Sequence, residues 1–147
     1  MLREAISICP DGVWYRADRK PLFWYTAYHS LFWLDLYLAG QVDGFTPPAP
    51  FNLDELDPSG IIPEKPYSKR ELADYALFIR EKYGRIFPNA DEAQLTRTCE
   101  VGWGAVTYVE LLLDNLRHLQ HHAGQLNTLL RMEADIASPW ISTRHPK

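Results

Sequence analysis

Six of the eleven prolines fall between residues 40 and 67, in "GQVDGFTPPAPFNLDELDPSGIIPEKPY". Proline fixes φ and removes a backbone donor, so at this density neither a continuous helix nor a central strand can cross the segment. The chain is thereby split by a long connection. Such connections are uncommon in compact domains and serve either as lids and binding segments or as passive surface wraps. Phe45, Phe51, Ile61 and Ile62 supply the apolar side chains that would pin it down.

On either side, helices are marked by their ends. "PLFWYTAYHSLFWLDLYLAG" has Pro21 just before an apolar stretch and Gly40 just after it, which predicts a helix over 22–39. Apolar residues occur nearly all round it, so it belongs at the centre. "SKRELADYALFIREKYG" starts with Ser68 and Glu71 at capping-box spacing, places Leu72, Tyr75, Ala76, Ile79 and Tyr83 on one face, and is expected to stop at Gly84. Asn89 followed by Glu92 predicts a short helix or turn, interrupted by Gly102 and Gly104. A last long helix is expected over Val106–Met132, followed by an irregular tail at 133–147 in which Pro139 prevents continuation. No sustained alternation with period two is present, so the fold class reads as all-α.

A length of 147 residues with 46% hydrophobic and 13% aromatic content is one domain's worth of chain with ample core material. The net charge of −4, with scattered arginines and lysines, argues against nucleic acid as a partner. No signal-peptide core or bilayer-length apolar run is present, so no membrane association and a cytoplasmic location are expected. Cys9 and Cys99 are expected to be free thiols, Cys99 an incidental or buried one rather than a nucleophile.

"NLRHLQHHAGQLNTLLR" then sets three histidines within five positions of the long helix. At about 100° per residue, His118 and His122 share an arc with Leu111, Gln125 and Leu129, bordering a stripe of Leu112, Leu116, Leu119, Ala123, Leu126 and Leu130 expected to be buried. His121 points about 100° away from His122 and is expected to be solvated. Imidazoles at i and i+4 can share one transition metal or can be ordinary surface and interhelical hydrogen-bonding groups. His29 projects from an aromatic face with Tyr25 and Trp33, and a buried imidazole there needs a partner: another helix, or a metal shared with His118 and His122. Three nitrogen ligands suit zinc or nickel and leave a position for water or substrate. Asp35 and Glu110 are candidates for orienting a ligand histidine, or are simply solvated. Neither a zincin H-E-x-x-H nor a phosphate-binding glycine loop is present.

The early histidine in "AYHSLFWLDLYL", followed about ninety residues later by "RHLQHHAGQLNTLLR", resembles the DinB-like family of damage-inducible and thiol-transferase proteins. "CPDGVWYR" and the "YSKREL" helix start fit the same resemblance; its most specific part is His118, His122, Gly124 and Gln125. The resemblance implies an up-down-down-up four-helix bundle, often a homodimer, with a divalent metal held by His29, His118 and His122. It also implies a thiol-dependent S-transferase or isomerase that uses a low-molecular-weight thiol; together with the open metal position, a transferase or hydrolase acting on a small electrophilic molecule is expected. A non-catalytic, metal-stabilised stress or interaction protein is the alternative. Only about eight residues precede Cys9 and Pro10, so the first helix would be shortened, its groove covered by the 40–67 segment, the tail or a second subunit.

Overall fold

In the computed structural model, which describes residues 1–140, the long connection is where the prolines require it, but the fold is not a clean four-helix bundle. Six α-helices are present among the described residues: α1 (Leu2–Ile8), α2 (Asp11–Trp14), α3 (Phe23–Ala39), α4 (Lys69–Ile86), α5 (Glu92–Thr96) and α6 (Tyr108–Ala134). Between α5 and α6 lies an antiparallel hairpin of β1 (Thr98–Val101) and β2 (Gly104–Thr107), in the register Cys99 opposite Val106 and Val101 opposite Gly104. The all-α, four-helix expectation is therefore corrected to a mostly helical fold with a two-stranded sheet. No helix of the described residues is long and apolar enough to cross a membrane.

The hairpin escapes a periodicity argument because each strand has only four residues. "TCEV" does alternate, with Cys99 buried and Val101 half-buried on one face and Thr98 and Glu100 exposed on the other. Gly102 and Gly104, expected only to interrupt a helix, instead flank Trp103 at the hairpin tip.

Helix α3 is the centre. Phe23, Trp24, Ala27, Tyr28, Leu31, Phe32, Leu36 and Leu38 are all buried, and each large apolar side chain removed from water contributes about 1.5–3 kcal/mol. Two of its buried polar residues bond to the preceding turn: Thr26 Oγ1 donates to the Leu22 carbonyl at 3.0 Å and Ser30 Oγ to that of Thr26 at 2.6 Å. The helix ends at Gly40, whose φ of 73° lies in the left-handed region that glycine enters without steric cost.

Carbonyls near this end accept from side chains of other elements: those of Leu38 and Ala39 have no partner within the helix, and those of Leu34 and Asp35, one turn back, take a second bond. Asn115 Nδ2 donates to the Leu34 carbonyl (3.2 Å), Lys82 Nζ to that of Asp35 (2.9 Å) and the Tyr108 hydroxyl to that of Leu38 (2.8 Å). Arg97 donates to the carbonyls of Ala39 and Gly40 while its guanidinium lies over the Tyr108 ring at 4.4 Å. Cations here also suit the negative end of the helix dipole. The Asp35 carboxylate, essentially fully buried, accepts from Lys82 Nζ (2.6 Å) and from the Tyr75 hydroxyl (3.0 Å).

The expected ends of the other helices shift. Helix α4 opens on the Ser68–Glu71 capping box but passes Gly84 and gives way at Ile86 to a 3₁₀ turn, Phe87–Asn89, that contains Pro88. A glycine terminates a helix only where it turns left-handed, and Gly84 does not. Tyr83 is largely exposed and stacks on Phe87 at 4.2 Å rather than joining the core face. The start of α5 is capped by Asp91, not Asn89. Helix α6 begins at Tyr108, set by a capping box of Thr107 and Glu110, and ends at left-handed Asp135. Its buried face runs through Tyr108, Leu111, Asn115, Ala123, Leu126 and Leu130; Leu116, expected on the stripe, is more than half exposed. Beyond α6, Ser138 is buried and joined to Asn127 and the Met1 carbonyl; the part of the expected irregular tail at 141–147 lies outside the described residues.

A Cβ at position 40 would collide with the Arg97 guanidinium and sit at unfavourable positive φ. Gly40→Ala is accordingly expected to cost about 1–3 kcal/mol in urea denaturation from backbone strain alone.

Candidate metal centre

Tyr108 reaching Leu38, Asn115 reaching Leu34, and His118 reaching His29 show that α3 and α6 run antiparallel, side by side. That pairing brings residue 29 to residues 118 and 122. His29 Nε2 lies 3.1 Å from His118 Nε2, and His122 Nε2 lies 3.0 Å from the same atom. Ligand-type nitrogens of all three fall within 4.8 Å of one another. The three rings predicted from the sequence to converge do so, from elements ninety residues apart. His121 is exposed, as its angular position requires, and only its ring edge approaches His122.

The outer nitrogens of two rings are committed. His122 Nδ1 donates to Gln125 Oε1 at 2.7 Å, one turn along α6. His29 Nδ1 donates to Glu55 Oε2 at 2.7 Å, because a carboxylate oxygen only accepts. In the neutral rings both Nε2 lone pairs are then bare and aimed at His118 Nε2. His118 Nδ1 is buried without a hydrogen-bond partner among the described residues. A single proton on His118 Nε2 can satisfy one of the facing lone pairs at a time, whereas a cation satisfies all three. Tetrahedral coordination at about 2.0–2.1 Å would set neighbouring nitrogens roughly 3.3 Å apart, close to the two separations made by His118 Nε2, with all three within 4.8 Å. The donor set therefore fits a borderline divalent ion such as zinc or nickel.

Burial disfavours the charged form of two of the rings, and ligation needs the neutral form. Burial first, then the neighbouring rings of His122 and His29, pushes the His118 imidazole down from 6.5 to about 4. His122 is lowered in the same way, by burial above all, with the Gln125 hydrogen bond opposing.

Glu55 is the residue that the sequence reading missed. It sits on a 3₁₀ turn, Asp54–Leu56, in the middle of the proline-rich connection, with its side chain only 3% exposed. The same oxygen that meets His29 also accepts from Trp33 Nε1 at 3.1 Å, so successive turns of α3 grip one carboxylate. Burial, then the adjacent Glu55, raises the Tyr25 phenol well above its usual value. The anchors of this connection are Phe45, edge-on to Phe32, and Phe51, stacked on Tyr28 and Tyr75; Ile61 and Ile62 are exposed and pin nothing. Nothing local in "FNLDELD" marks Glu55 over Asp54 or Asp57, because the choice depends on which carboxylate the chain path carries to α3.

The other candidates for orienting a ligand are engaged elsewhere: Asp35 with Lys82 and Tyr75, Glu110 in the capping box of α6. Both cysteines are free and buried. Burial raises the Cys9 thiol to about 12, which suppresses the thiolate. Cys99 lies beside Tyr108, about 15 Å along α6 from His118 by helical rise.

Comparison with known proteins found no family model, no curated protein and no solved structure that matches the chain.

Because the folded-state value of His118 lies below its ordinary one, the unfolded chain takes up the proton first as pH falls. The metal-free protein should therefore hold this contribution above pH 6.5 and lose it progressively towards about pH 4. Denaturant titrations across that window should show a steeper loss for the wild type than for His118→Gln.

Proposed function

We propose that the chain is a divalent-transition-metal-binding protein whose ion is held by His29, His118 and His122. What carries this reading is the facing of three Nε2 atoms, two of them with their Nδ1 hydrogens already committed elsewhere. Zinc and nickel are the ions that three neutral imidazoles suit best. The DinB-like resemblance contributes through its histidine spacing: one histidine on an early helix, and H-x-x-x-H followed by G-Q on a late one. From that resemblance comes the finer reading, a transferase or hydrolase that acts on a small electrophile with a low-molecular-weight thiol or water as nucleophile.

A metal with three protein ligands acidifies a bound water or thiol and so supplies a nucleophile near neutral pH. The chain's own groups would do the rest. Glu55 and Gln125 hold two imidazoles by their outer nitrogens, which aims the inner ones. Tyr25 and Trp33 flank His29 at ring separations of 6.2 and 6.1 Å and form an apolar wall against which a small molecule would lie. The His29 side chain is 27% exposed, so solvent-borne molecules reach the edge of the triad.

One observation favours the second reading, a metal that only stabilises the fold. A cavity of about 150 Å³ opens between Val13, Arg16, Phe23 and Leu129, and its lining includes none of the three histidines. The resemblance further implies pairing of two copies; the exposed Val109, Leu113 and Leu116 would give such a homodimer an apolar face on α6.

Protein purified without a histidine tag should carry about one equivalent of zinc or nickel by mass spectrometry, and His122→Ala should carry none; unchanged content in that variant would refute the site. Turnover of thiols and electrophiles that disappears in His122→Ala would identify the enzyme. A metal-dependent rise in Tm without turnover would identify the structural role.

A further inference from the structure

Beyond the three ligands, the arrangement of Glu55 points to a coupling between the metal centre and the proline-rich connection. We propose that Glu55 is a positioning residue through which metal binding at the triad orders the segment 52–66, and through which that ordering tightens metal binding. The inference rests on the metal-binding reading above.

Anchors along the segment are unevenly placed. Upstream, Phe51 is buried between Tyr28 and Tyr75, whose rings lie nearly parallel to it at 5.6 and 4.4 Å. Downstream, Tyr67 packs against Tyr28 at 4.7 Å and its carbonyl accepts from Trp14 Nε1 at 3.0 Å. Between them no residue is fully buried, and nearly all of 57–66 is exposed. The side-chain bonds made there by Asn52, Asp54, Asp57 and Ser59 stay within two residues of their origin. Glu55 is different: its carboxylate crosses to α3 and meets His29 Nδ1 and Trp33 Nε1. It is thus the polar tie that joins the middle of this segment to the helix, and a segment with so few buried contacts opens locally at low cost.

The tie ends on a ligand. A divalent cation on His29 Nε2 withdraws charge through the ring and makes Nδ1–H a stronger donor, which tightens the bond to Glu55. Three neutral imidazoles leave the ion's double charge uncompensated, and the Glu55 carboxylate is the anion in contact with the ligand set. Glu55 Oε1 is buried with no hydrogen-bond partner among the described residues, so the carboxylate gains from a cation held nearby. Metal affinity and order in the segment must then rise together, since coupling between two equilibria is reciprocal.

The test measures Zn²⁺ and Ni²⁺ affinity by competition with a chromophoric chelator, and amide hydrogen exchange over 52–66 with and without Zn²⁺. The proteins compared are wild type, Glu55→Gln and Trp33→Phe. Expected are a 10- to 100-fold loss of affinity in E55Q, with Tm of its metal-free form close to wild type. Zn²⁺ should slow exchange around residues 53–57 in the wild type and in W33F, which keeps the His29–Glu55 bond, but not in E55Q. Stoichiometric wild-type binding with equal affinity in E55Q, or with no change in exchange, would overturn the coupling while leaving the metal site intact. A wild type that binds neither ion would overturn the metal reading and this inference with it. A loss of metal-free stability in E55Q with unchanged affinity would make Glu55 a structural residue and overturn the proposal.

Discussion

A helix buried on nearly every side cannot rely on water for its terminal carbonyls, and this constraint on α3 organises the rest of the molecule. The terminal carbonyls of Leu38 and Ala39 are met by Tyr108 of α6 and Arg97 just before β1, and those of Leu34 and Asp35, one turn back, take a second bond from Asn115 of α6 and Lys82 of α4. Each bond is a positional requirement on the element that donates it. Asn115 and Tyr108 together fix how far α6 can slide and turn against α3, because they are seven residues apart and bond to carbonyls four residues apart. Arg97 does the same for the hairpin, passing beside Gly40, whose positive φ is what disfavours a side chain there. A bare four-helix arrangement would leave this helix end without the guanidinium that the α5–hairpin excursion supplies.

The triad follows from that register. With α6 held antiparallel to α3 at Leu38–Tyr108 and Leu34–Asn115, the next contact along the pair falls where His29 meets His118 and His122. Polar groups in such a place need partners, and they have them in layers: nitrogens facing nitrogens, then Glu55 and Gln125 on the outer edges. The same packing that hides the rings lowers the proton affinity of His118 and keeps its lone pairs available. Burial above all, and the neighbouring rings after it, thus leave His118 and His122 as acceptors rather than charged donors.

Much of this was legible in the chain. The bounds of α3 follow from Pro21 and Gly40, the start of α4 from Ser68 and Glu71, and the place of the irregular connection from its prolines. The orientations of His118, His121 and His122 follow from helical angle alone. The hairpin was not legible, since four-residue strands carry too few alternations to stand out. Nor was the extension of α4 through Gly84, where a glycine with ordinary helical φ leaves no mark different from one that ends a helix. The burial stripe of α6 was displaced because its pattern of leucines cannot say which flank meets α3: Asn115 is inside for its bond to the Leu34 carbonyl, and Leu116 is outside.

Local chemistry in the sequence therefore determined the helices, their caps, the long proline-rich interruption and the shared arc of His118 and His122. Those depend on dihedral preferences and short spacings that act within a turn or two of chain. Only the tertiary structure decided that Glu55, among several acids in the connection, would reach His29, and that Asp35 and Glu110 would be engaged elsewhere. That choice depends on where buried donors without partners come to lie, and such positions exist only once α3 has been covered.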